Sequence, residues 1–397
     1  MAPAIPFFSC KLVEHGPPGM HKYSLLLLLA FSTLVGAQSP LASPQQLVQD
    51  AMQKQQAGDF EGAVKEYRQF LKLHPEATPI HSNLGAALAG LGRYEEAVPE
   101  YRAALKQTPG FTQARLNLAI AYYKMGRISD AATQLVRVHA ENPGNHQAVL
   151  LLGDCYLRMG QNKDVIQLLQ PELKKSADDL AIAYVLGTAL LRDKQRDEGA
   201  AVIDRILRNG DSAESHLLLG MTKFEAMEYP AAIADLTKAA EINPNLPDVY
   251  SYLGQAQMAS GDMKAARDAF EKELAVNPND FESNVRLAVL LKQDGNYERA
   301  HRLLDRALLV RPKDPGALYQ VGATYLAAGD LNRALNSLEA LVKQYPAFLE
   351  PHVSLAQVYY RLRRKQEGDR EREIVQKLKA EQDAQQSKAK GDAQTRP

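Results

Sequence analysis

The residues of this 397-residue chain best suited to chemistry are nine histidines, two cysteines and a scatter of carboxylate pairs. Their spacing builds no reactive constellation. His139 and His146 stand seven residues apart on either side of Asn142-Pro143. Proline stops a helix, so these two imidazoles make a poor metal pair. Glu95-Glu96 opens a predicted helix, where negative charge is favoured by the helix dipole rather than held for acid–base work. The sequence has no G-x-S-x-G elbow, no Gly-rich phosphate loop ending in Lys-Ser/Thr and no H-E-x-x-H. Cys10 lies near the amino terminus, and Cys155 sits alone inside a repeated pattern, where it reads as a small buried filler rather than half of a disulfide. The expectation is a non-enzymatic chain with no catalytic residue, no metal and no cofactor.

The elements that carry these residues are set by a period. Pro75, Pro109 and Pro143 are 34 residues apart, and so are Pro244, Pro278, Pro312 and Pro346. A small residue keeps the same beat at Gly85, Ala119, Gly153 and Gly187, then, after one step of 33, at Gly220, Gly254, Ala288, Gly322 and Ala356. A large apolar residue precedes each, and Tyr122, Tyr156, Tyr325 and Tyr359 follow three residues later. A third landmark, an alanine such as Ala63, Ala97, Ala131, Ala232 or Ala266, is followed four residues on by a bulky side chain such as Tyr67, Tyr101, Leu135, Leu236 or Phe270. Apolar spacings of three and four make one face of a helix. Glycine pairs such as Gly92-Arg93 and Gly295-Asn296 mark the turn between two helices, and Asn-Pro pairs end the second.

This pattern of L-G-x2-Y, A-x3-F and a closing proline resembles the tetratricopeptide repeat (TPR) family. The family's tryptophan is missing; His81, Arg115, Val149, Tyr250 and His352 stand in its place, and His216 in unit six. The resemblance implies an all-α, right-handed solenoid of helix-turn-helix units over residues 44–361. The rhythm gives about nine full repeats from Pro44 to Pro346, then a tenth first helix around His352 to Arg361. One helix pair cannot bury its own apolar face, so stacking on neighbours is required. A capping helix is expected over 362–385 and a disordered tail over 386–397.

Composition excludes other classes. Lysine plus arginine and aspartate plus glutamate both number 47, so no basic field points to nucleic acid. The amino terminus reads as a leader: Met20-His21-Lys22 precedes an apolar run of Leu25 to Val35 and a Gly36-Ala37 exit. The expected events are translation from Met20, cleavage after Ala37 and export to a periplasm or the exterior, with a flexible lead over 38–43. The run is shorter than the roughly 18 residues a span needs, so no membrane-spanning anchor is expected in the mature chain.

Units four to six depart from the rhythm. Val165 replaces the alanine of unit four, and Pro171 is expected to kink or end its second helix. Unit five offers Lys194-Gln195-Arg196-Asp197 where a glycine turn belongs, with Ala200 and Asp204 taken as its landmarks, and Met227 replaces the turn glycine of unit six. Drift in a long array explains these changes; a flexible joint between about 160 and 212 is the alternative.

In TPR folds the first helix of each unit lines a concave groove, so the resemblance implies where a partner sits. Asn83 and Asn117 occupy the position of the peptide-holding asparagine ladder in the TPR arm of O-linked N-acetylglucosamine transferases, but only these two of nine sites match. The middle of the groove reads as apolar: Leu150, Leu151, Tyr184, Val185, Leu191, Leu217, Leu218, Phe224 and Tyr252. These eleven residues are the expected binding face for a protein or peptide partner, unless a second copy or the carboxy-terminal helix fills it. The expected function is a protein-binding scaffold. The alternatives are an accessory subunit of an envelope polysaccharide-export or glycosyltransferase system, and a carrier of a hydrophobic ligand.

Overall fold

Asp59, Asp179, Ser212, Asp262, Asp280, Asn296, Asp314 and Asp330 each accept a main-chain N–H with their side chain, and each starts a helix. The computed structural model describes residues 43–208 and 210–394, and these form twenty helices with no strand among them. They are α1 (Pro44–Gln56), α2 (Phe60–Leu73), α3 (Thr78–Gly90), α4 (Tyr94–Gln107), α5 (Thr112–Lys124), α6 (Ile128–Glu141), α7 (His146–Arg158), α8 (Asn162–Lys175), α9 (Leu180–Arg192) and α10 (Arg196–Leu207). The series continues with α11 (Ala213–Glu225), α12 (Tyr229–Ile242), α13 (Val249–Ala259), α14 (Met263–Val276), α15 (Phe281–Gln293), α16 (Tyr297–Val310), α17 (Pro315–Ala328), α18 (Leu331–Gln344), α19 (Leu349–Arg361) and α20 (Lys365–Gln394). The fold is an all-α TPR solenoid. The leader and its cleavage site lie outside the described residues. Among the described residues no helix is long and apolar enough to cross a membrane.

The chain divides into two units, residues 5–152 and 153–397, with the boundary inside α7. In the amino-terminal unit α1–α2, α3–α4 and α5–α6 pack as antiparallel pairs. In the carboxy-terminal unit the pairs run from α9–α10 to α19–α20. Two landmarks of the sequence meet inside each pair. A methyl group placed on Gly85 would sit 2.7 Å from the Tyr101 ring, and one on Gly254 would sit 2.6 Å from the Phe270 ring. The small residue of the first helix is therefore the floor on which the bulky residue of the second rests. Tyr101 and Phe270 are fully buried there.

The turn between paired helices needs a left-handed residue. Glycine supplies it at 58, 92, 126, 160, 261, 295 and 329; Lys194, Met227 and Arg363 supply it with φ of 62°, 62° and 61°. These positions keep the 34-residue step except for 33 between Lys194 and Met227, which corrects the register expected for unit five. Gly199 and Ile203, both buried, are its second-helix landmarks, whereas Ala200 and Asp204 are exposed. The missing residue falls after α10. A second correction concerns Pro171: α8 runs through it, held by buried Leu169 and Leu173 on either side. A third concerns the carboxy terminus. α20 continues to Gln394 instead of ending near 385, because the Ala-, Lys- and Gln-rich sequence favours helix and meets no proline before Pro397.

The position of the absent tryptophan has a polar role. His81 bonds the Pro75 carbonyl at 2.8 Å and Glu100 at 2.6 Å; His352 does the same with Pro346 at 3.0 Å and Glu371 at 2.6 Å. Arg115 donates to the Pro109 carbonyl, and Asn284 donates to that of Pro278 at 3.0 Å. Each joins the closing proline six residues back to its own pair, and His352 thereby fastens α20 to α19.

Candidate functional site: a charged cavity in the carboxy-terminal unit

The expected apolar groove is not open. Leu150 and Leu151 in α7, Tyr184, Val185 and Leu191 in α9, and Leu217 and Leu218 in α11 are all buried, the last two at 0% exposure. Successive first helices α9, α11 and α13 pack against one another, and this packing consumes the apolar residues. They are core. Asn83 and Asn117 are half-buried on α3 and α5. Asn83 bonds Tyr67, whose hydroxyl is pushed up to about 12 by burial, and Asn117 accepts from Gln113 at 3.0 Å. Of the eleven expected residues, Phe224 and Tyr252 reach an open cavity of about 250 Å³.

That cavity is formed by the inner ends of α7, α9, α11, α13 and α15 and by the end of α16. Its apolar wall is Leu157, Phe224, Tyr252 and Phe281, with Phe224 and Tyr252 edge to face at 6.1 Å. The rest is charged. Asp154 accepts from Arg158 at 2.7 Å. Arg192 donates to the Tyr252 hydroxyl at 2.9 Å and lies 3.5 Å from Asp248. Glu282 stands 3.4 Å from Arg286 and 3.5 Å from Arg311. Arg311 stacks over Phe281 at 4.0 Å and donates to the main-chain oxygen of Arg158 at 2.7 Å. Burial holds the Arg311 guanidinium below its ordinary value.

Behind this wall Asp248, Glu273 and Asp280 bring carboxylate oxygens within 4.8 Å of one another. Their oxygens meet donors. Glu273 accepts the main-chain N–H groups of Asp248 at 2.9 Å and Ser251 at 3.3 Å, so a residue of α14 caps the start of α13. One oxygen of Asp280 accepts from the Ser251 hydroxyl at 3.0 Å and the Ser283 N–H at 2.7 Å. Burial, then the charges of Asp280 and Asp248, pushes the Glu273 carboxyl well above its usual range. Burial likewise raises Asp248. This donor set suits a helix cap better than a hard cation, which needs the same lone pairs.

The charged residues had a sequence signal that was missed. Arg158 and Arg192 are 34 residues apart, as are Asp248 and Glu282. Polar residues repeating at one repeat position line the inner wall, whereas apolar ones at the neighbouring positions are taken into packing.

Profiles of the tetratricopeptide repeat match residues 51–110, 88–138, 258–321 and 316–347, and a TPR repeat profile matches 220–261. The chain belongs to the tetratricopeptide repeat family. Residues 124–206 of this TPR chain also match the profile of anaphase-promoting complex, cyclosome, subunit 3. Superkiller protein 3 of Schizosaccharomyces pombe is 30% identical over 135 residues, 32% of this chain and 10% of that protein. The BBSome complex member BBS4 homolog of Drosophila melanogaster is 23% identical over 44% of this chain and 39% of its own length. Superkiller complex protein 3 of Mus musculus is 25% identical over 48% of this chain and 13% of its own. The TPR chain thus spans well under half the length of these relatives. Among solved structures, the Cut9–Hcn1 hetero-tetramer of the APC/C aligns over 85% of this chain and 87% of its own at 11% identity and a TM-score of 0.48.

Proposed function

We propose that this TPR protein is a non-enzymatic scaffold that holds a segment of a protein partner in the cavity of its carboxy-terminal unit. The observation that carries this reading is the convergence of five first helices on one open cavity. Relatives named as members of the Superkiller and BBSome complexes support a role in assembly. The leader pattern ending at Ala37 supports action after export. Carriage of a hydrophobic ligand has no support, because the apolar inner residues are spent on helix packing.

Site-specific photo-crosslinking in the native host tests the reading. A benzophenone amino acid replaces Gln255, which lines the cavity, or Lys272, exposed on α14. The expected result is a discrete protein adduct at 255 and none at 272. Equal labelling at both positions, or none at either, would sink the reading. Adducts only to a second copy of the chain would replace it with self-association.

A further inference from the structure

We propose that the cavity is a site for one uncharged amide, the peptide group of a partner segment that carries a neutral, apolar side chain at that point. This deepens the scaffold reading above and rests on it.

Charge is the first argument. Arg158 has Asp154 at 2.7 Å, Arg192 has Asp248 at 3.5 Å, and Arg286 and Arg311 share Glu282 at 3.4 and 3.5 Å. Asp280 accepts from Ser251 and Ser283. The wall is a lattice of internal ion pairs. A charged guest would have to break a pair or lie desolvated beside one, and both outcomes are unfavourable.

Hydrogen bonding is the second. Two atoms of cavity-lining residues are buried and have no hydrogen-bond partner: Asn162 Oδ1, an acceptor, and Arg286 Nε, a donor. Arg286 Nε lies 3.4 Å from Glu282, but makes no hydrogen bond to it. One missing donor and one missing acceptor are the complement of a peptide group, which offers one N–H and one carbonyl. A carboxylate would bring no donor and an ammonium no acceptor. A buried polar atom left without a partner is costly, so a guest that satisfies both atoms gains by filling the cavity.

Shape is the third. Phe224 and Tyr252 form an edge-to-face wall beside Leu157, and apolar surface there selects a neutral side chain next to the amide. A volume of about 250 Å³ suits a peptide group and one such side chain.

The test is selection of random displayed peptides on the full chain, followed by synthesis of the best binder with each backbone amide replaced in turn by an ester. The expected result is a family of peptides sharing a neutral apolar residue. One ester, which removes the N–H, weakens binding about ten-fold, as does Asn162→Leu or Arg286→Met, while Asn162→Asp, which keeps an acceptor, retains it. Circular dichroism checks that each variant folds; if one does not, the ester series on the unaltered protein still decides. Binders that share an acidic or basic residue, or that ignore every ester and both variants, overturn the amide site while leaving a peptide-binding scaffold in place. No enrichment over the bare display particle overturns the amide site too, and the cross-linking at Gln255 then judges the scaffold reading separately.

Discussion

Arg311 donates from Nε to the main-chain oxygen of Arg158 at 2.7 Å across 153 residues of sequence. Arg158 is the last residue of α7, so the guanidinium satisfies a carbonyl at a helix end and meets the negative pole of its dipole. Other units carry Asn, Thr, His or Tyr before the closing proline; this one carries Arg311-Pro312. The exception closes the cavity on the side of the α7–α8 turn.

Replacing Arg311 by Met removes that bond, the stack on Phe281 and a partner of Glu282. The carboxy-terminal unit should lose about 2–3 kcal/mol, the sum of one charged hydrogen bond and a modest cation–π contact. Hydrogen exchange should quicken in two separate places, around 156–162 and around 280–286. A change confined to the residues beside 311 would show that the long-range contact contributes nothing.

Leu218 and Phe224 should answer differently to the same substitution. Leu218 is fully buried, and Leu218→Glu puts a charge into core; a loss of about 3–5 kcal/mol or failure to fold is expected. Phe224 lines the cavity and is only partly buried, so Phe224→Glu should keep the helical circular dichroism signal and a cooperative urea transition. Equal damage from both would mean that Phe224 is core as well.

Glu273 gives a pH dependence with a defined sign. Its folded-state carboxyl lies well above the ordinary value of 4.5, first because of burial and then because of Asp280 and Asp248. Folding therefore takes up a proton in the window between those values. The stabilisation is full below the ordinary value and is lost as pH rises through the folded one. The stability of Glu273→Gln, measured by urea unfolding between pH 5 and 8, should fall less with rising pH than that of the parent. An unchanged slope would show that this carboxyl does not supply the linkage.

Met227 holds a left-handed φ of 62° while its side chain is 74% exposed. A left-handed L-residue costs roughly 1–2 kcal/mol, partly offset by the unfolded-state entropy that glycine adds. Met227→Gly should raise stability by about 0.5–1 kcal/mol in thermal or urea unfolding. Destabilisation would mean that the methionine stem makes a contact worth more than the strain.

The sequence by itself determined the helix pairs. Small residues at one spacing and bulky ones at another dictate how two helices meet, and Gly254 under Phe270 is that rule realised over 16 residues. Such contacts are local, so a period reveals them. Where the glycine was missing the period misled at Ala200, since Lys194 can take the same backbone shape and leaves no mark. Only the tertiary structure decided which inner residues stay open. Small rotations between successive pairs add up along the stack until Arg311 arrives beside Arg158. That accumulated curvature presses Leu217 and Leu218 into core and leaves the charged residues facing the cavity. No single repeat encodes the sum, because each contributes only a small part of the turn.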